Sequence, residues 1–122
     1  MSKIRVGIVG CGAIADLKYF PALQKQKARI ELVAFCDLIE ELAQTAAIGH
    51  GNPGAKVYAD YRKLVADPSI DAVHVLTPNV SHAEITVAAL LGGKHVLCEK
   101  LMAANSSDAK KMLDAAKKSG KN

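Results

Sequence analysis

VGIVGCGAIADLKYF, Val6 to Phe20, starts as an apolar run and then fills with glycine at positions 7, 10 and 12. Glycine weakens a strand or helix interior, so glycines this dense need a reason. A secretory leader would be one, since Lys3 and Arg5 stand early in the chain and Ala13-Ile14-Ala15 imitates a cleavage site. That reading fails because Arg5 falls inside the apolar run and the glycines interrupt it. What fits is a strand, then Gly10-x-Gly12-x-x-Ala15, then a helix, the pattern that receives a dinucleotide. Gly10 permits the tight turn, and Gly12 lets a diphosphate lie against bare main chain. Ala15 is small enough for the helix to pack close to the strand. The N–H groups near Ala13 and Ile14 then face the phosphates at the positive helix end.

Working outward, Ile30 to Cys36 reads as a second strand, and it ends on Asp37. An acid is expected roughly 20 residues past the glycines, where it can accept the adenosine ribose hydroxyls. Leu38 follows it with no adjacent lysine or arginine, so NAD is favoured over NADP. A helix over Ile39–Ile48, a short strand at Lys56–Tyr58 and a helix capped by Asp60 come next. A fourth strand spans Ala72–Leu76. Ser81-x-x-Glu84 has the capping-box spacing and places the start of a helix running to Leu91. The fifth strand covers His95–Glu99, and a last helix runs from a cap at Asn105 to Ser119-Gly120. Strict alternation of apolar strands with helices predicts an α/β fold, a doubly wound parallel sheet of about five strands with helices on both faces.

Composition agrees. A chain of 122 residues with 50% hydrophobic and 23% charged residues suits one folded domain, here the whole of 1–122. No apolar run is long enough to span a bilayer, so no membrane partner is expected. The net charge of +4 gathers near the C-terminus at Lys110, Lys111, Lys117, Lys118 and Lys121. No aromatic residues interleave with those lysines, so they read as a solvated helix face rather than a nucleic-acid site. The 3 cysteines, Cys11, Cys36 and Cys98, form no CxxC pair, which excludes a zinc framework and suits a reducing cytoplasm. They read as small apolar fillers near strand ends. His74 and His95 lie within strands and read as structural.

Two later stretches add to the pattern. LTPNVSH, Leu76 to His82, follows the fourth strand, and CEKLM, Cys98 to Met102, follows the fifth. Together with VGIVGCGAIA and AFCDL they resemble the nucleotide domain of the glucose–fructose oxidoreductase and inositol dehydrogenase family (Gfo/Idh/MocA), over nearly the whole chain. The resemblance implies hydride transfer between a nicotinamide cofactor and a sugar, cyclitol or related polyol. It places Cys11, Leu38 and Leu76 along the cofactor, with Thr77, Pro78, Asn79 and His82 near its nicotinamide half. Glu99 would lie beside the nicotinamide ribose, and Lys100 would hydrogen-bond the substrate hydroxyl and assist its deprotonation. A lysine near a cationic ring and partly desolvated has a lowered pKa, which suits proton transfer.

The sequence departs from the family at Leu101, where Glu-Lys is usually followed by proline, and this loosens the expected aim of Lys100. Family members also carry a second domain that supplies further substrate residues. The expectation is therefore a piece of a two-domain enzyme that binds NAD without turnover alone. Its fifth strand would form an open edge inviting self-association into a homo-oligomer. A non-catalytic NAD-responsive regulatory or scaffold module is the alternative. An S-adenosylmethionine methyltransferase shares a glycine-rich loop but not the Thr77-Pro78-Asn79 and Glu99-Lys100 stretches.

Overall fold

The apolar, β-branched runs become five parallel strands. In the computed structural model, which describes residues 3–12, 23, 25, 28–77, 79–98 and 106–121, these are β1 (Ile4–Val9), β2 (Ile30–Cys36), β3 (Lys56–Tyr58), β4 (Ala72–Val75) and β5 (His95–Cys98). They form one sheet in the order β3-β2-β1-β4-β5. The order reverses direction at β1, so the carboxyl ends of β2 and β4 flank that of β1 and open a crevice there. The described helices are α1 (Glu40–His50), α2 (Tyr61–Val65), α3 (Asn79–Leu91) and α4 (Ser106–Ser119). The helix expected after Gly12 lies outside the described residues, as does the Asn105 cap.

Apolar side chains pack on both faces of the sheet. On one, Val6, Ile8, Leu32 and Phe35 meet Ala43 and Ala46 of α1. On the other, Val9, Ala34, Val73 and Val75 meet Leu64 and Val65 of α2 and Ile85 and Ala89 of α3. Helix α4 lies along α3 and buries Met112 and Ala115, while Lys110, Lys111, Lys117 and Lys118 remain exposed. Strand β2 carries one extra residue. Val6 pairs with Leu32 and Gly7 with Ala34, leaving Val33 without a partner on β1. This irregularity is why Leu32 and Phe35, three positions apart, share a face.

Two boundaries correct the sequence reading. Helix α3 begins at Asn79, so Ser81 lies inside its first turn and Ser81-x-x-Glu84 does not open it. The serine spacing is a local signal only, and it does not exclude a helix that starts two residues earlier. Helix α1 begins at Glu40 and reaches His50, two residues past the expected end. Asp60 caps α2 as expected, its carboxylate accepting from the Arg62 N–H at 2.9 Å.

Candidate functional site

The carboxyl end of β1 is held from both sides by main chain. The Gly10 N–H donates to the Cys36 carbonyl at the end of β2, at 2.8 Å. The Leu76 N–H, just past β4, donates to the Val9 carbonyl at 2.7 Å. Gly10 has φ +101°, a region that L side chains rarely adopt. A methyl group there would lie 2.7 Å from the Leu76 carbonyl carbon and 2.8 Å from the Thr77 nitrogen. The glycine is thus required by a turn and also by the main chain just past β4.

Gly12 is different. Among the described residues, a methyl group added to it would meet nothing within 4 Å, and its φ lies outside the left-handed region. Neither packing nor backbone conformation within the described chain demands glycine there. The residue is exposed and leaves bare main chain facing open space. A dinucleotide's diphosphate needs that kind of approach, so the residues present fit the cofactor that the motif implies.

Asp37 closes the other side of the crevice. Its Oδ2 accepts from the Cys11 N–H and its Oδ1 from the Ile39 N–H, both at 2.9 Å. The acid therefore bridges the glycine loop and the entry to α1 before any ligand arrives. Each carboxylate oxygen keeps further acceptor capacity, enough for a pair of vicinal hydroxyls. Leu38 stands beside it and is 91% exposed, an apolar surface open to solvent. The Cys11–Asp37 bond was not readable from the spacing, because it joins residues 26 apart through the pairing of β1 with β2.

Cys11 and Cys36 are buried, free thiols, and they belong to clusters on opposite faces of the sheet. The Cys11 Sγ contacts the Cys36 carbonyl at 3.5 Å. Burial, with the Asp37 charge added, pushes both thiols up to about 12, so they stay protonated and act as packing. Burial also takes the His74 imidazole down to about 4, leaving a neutral ring inside the fold. His95 is exposed at the start of β5.

The sequence-expected residues thus separate into those brought together and those not described. Gly10, Cys11, Gly12, Asp37, Leu38, Leu76 and Thr77 converge at the carboxyl ends of β1, β2 and β4. The main chain of Asn79 and His82 lies in the first turn of α3, directly after β4. Ala13, Ile14, Pro78, Glu99 and Lys100 lie outside the described residues.

Comparison with known proteins agrees with this geometry. The family described as an oxidoreductase family with an NAD-binding Rossmann fold (Gfo/Idh/MocA) matches residues 4–122. Inositol 2-dehydrogenase of Salmonella typhimurium is 36% identical over 97% of this chain and 34% of its own length. D-glucoside 3-dehydrogenase of Escherichia coli is 39% identical over 98% of this chain and 33% of its own length. The chain therefore spans about a third of the length of these curated relatives. Among solved structures, the WlbA dehydrogenase from Bordetella pertussis, in complex with NADH and UDP-GlcNAcA, superposes with a TM-score of 0.89. It is 33% identical, over 98% of this chain and 35% of that one. A 3-ketoreductase from Actinomadura kijaniata, in complex with NADP and TDP-benzene, gives a TM-score of 0.88 at 32% identity, over 98% of this chain and 36% of that one.

Proposed function

Because the chain belongs to the Gfo/Idh/MocA oxidoreductase family, with its NAD-binding Rossmann fold, we propose that it is the cofactor-holding part of a dehydrogenase acting on a sugar, cyclitol or related polyol. The observation that carries this reading is the bare main chain at Gly12, open to solvent and bounded by an acid already fixed to the glycine loop. A bound nicotinamide dinucleotide supplies the hydride acceptor or donor. The chain's own residues bind and orient it. Gly10 and Gly12, with the N–H groups of Ala13 and Ile14, receive the diphosphate. Asp37 accepts the adenosine ribose hydroxyls, Leu38 offers an apolar face to the adenine, and Cys11 contributes main chain. Leu76, Thr77, Pro78, Asn79 and His82 border the nicotinamide half. Glu99 approaches the nicotinamide ribose, and Lys100 holds the proton of the substrate hydroxyl.

NAD is the preferred form. A 2′-phosphate would meet the Asp37 carboxylate, and Glu40 and Glu41 open the helix beyond it, with no cation among them. Copies of the chain associate in this reading, because β5 is an edge strand and Leu97 on it is 61% exposed. Sedimentation showing only monomer at high concentration counts against that association.

Calorimetric titration with NADH, NADPH and S-adenosylmethionine tests the cofactor assignment. NADH is expected to bind, NADPH to bind more weakly, and S-adenosylmethionine not to bind. Gly12→Val should remove NADH binding by filling the open space, and a variant that still binds NADH overturns the site. The chain alone should show no measurable polyol oxidation.

A further inference from the structure

We propose that Gly10 is a positioning residue that couples the two halves of the crevice, beyond its part in the turn. The inference rests on the reading above that the crevice holds a dinucleotide. Gly10 sits where three strand ends meet. On one side its N–H is bonded to the Cys36 carbonyl, immediately before Asp37 on the adenosine side. On the other its Cα faces the Leu76–Thr77 peptide so closely that a methyl would lie 2.7–2.9 Å from three main-chain atoms. Those atoms open the segment that borders the nicotinamide half. Such distances are below any real carbon contact, and the partner is main chain rather than a side chain that can swing away. A side chain at position 10 therefore has to displace the 76–77 peptide or the glycine loop itself. The preceding 75–76 peptide is held by the Leu76 N–H donating to the Val9 carbonyl, so displacing the 76–77 peptide strains its link to the pairing that aligns β4 with β1.

The contact makes the loop and the end of β4 one mechanical unit. Ordering of the loop by the diphosphate is transmitted to the segment that receives the nicotinamide. A turn-forming glycine alone has no such reach.

The test compares NADH with ADP-ribose, which lacks the nicotinamide, on this chain and its Gly10→Ala variant. The wild-type chain should bind NADH more tightly than ADP-ribose. In Gly10→Ala both ligands weaken, but the NADH Kd should rise about tenfold or more beyond any rise in the ADP-ribose Kd, so that the two converge. Equal weakening of both ligands, or of neither, overturns the coupling and leaves the dinucleotide site standing. Failure of the wild-type chain to bind either ligand overturns the site itself. If Gly10→Ala does not fold, amide exchange on the wild-type chain decides. ADP-ribose alone should slow exchange at Leu76 and Thr77, and no change there overturns the proposal.

Discussion

The two ends of the sheet are built on opposite principles. Where the strands begin, side chains satisfy one another. Asp67, only 7% exposed, accepts from the Lys56 ammonium, from both the N–H and hydroxyl of Ser69, and from the hydroxyl of Tyr58, the last residue of β3. Its own carbonyl accepts from the buried Lys94 Nζ at 2.6 Å. Beside it, Arg5 grips Asp71 through Nε and Nη2 at 3.1 and 3.0 Å. Where the strands end, the chain offers glycines, open main chain at Gly12 and, in Asp37, an acid with spare acceptor capacity. Hydrogen-bonding capacity is used up at the first end and held in reserve at the second. Stability and binding should therefore respond to different residues, and each prediction below is a way to break that separation.

The largest effect is expected at Asp67. Burial alone would raise its pKa. The hydrogen bonds from Ser69, Tyr58 and Lys56 outweigh that and hold it well below the ordinary carboxylate range. Asp67→Ala leaves those donors unsatisfied and should cost about 3 kcal/mol or more, as removal of one partner from a buried network usually does. Urea denaturation measures the loss, while NADH affinity of the folded fraction should stay within about twofold. Loss of NADH affinity without loss of stability would erase the distinction between the two ends.

A second effect comes from the interior. His74 is neutral in the fold, with a pKa near 4 against an ordinary 6.5. Between those values the unfolded chain takes up a proton that the folded chain refuses. Stability is therefore lost as pH falls from 6.5 toward 4, on the order of 3 kcal/mol in all. Asp67 gives up its contribution only at lower pH, as pH falls below the ordinary carboxylate value, so the two windows separate. His74→Leu should flatten the first window and spare the second. An unchanged pH profile would mean that the acid sensitivity arises elsewhere.

How much of this was legible in the sequence follows from the range of each interaction. The strands were readable because apolar, β-branched runs end at turn residues, and Asp37 because the glycine motif asks for an acid at the next strand end. Asp60 announced itself as a cap by local chemistry. Gly7 did not explain itself. A methyl there would lie 2.9 Å from the Leu64 side chain, so it is small to admit α2, a contact visible only after folding. The Asp67 network was silent for the same reason, since Lys94 reaches it across 27 residues. Ser81 misled because a capping-box spacing is a local pattern that recurs inside helices, and here the helix already includes it. Ala13, Ile14, Glu99 and Lys100 rest on the sequence pattern and the family resemblance.

The smallest expected change in stability, and the sharpest test of the separation, lies at Gly12. Its φ is outside the left-handed region and a methyl group would meet nothing within 4 Å among the described residues. Alanine there fits the folded chain and restricts the unfolded one, so Gly12→Ala should leave stability unchanged or raise it by about 0.5 kcal/mol. The same methyl enters the space assigned to the diphosphate, and NADH affinity should fall about tenfold or more. Thermal denaturation and calorimetry on one sample read both quantities. A variant that is no less stable and no longer binds would show that this glycine is kept for the ligand. If the variant loses stability instead, the glycine serves the fold, and the end of the sheet read here as held in reserve is structural after all.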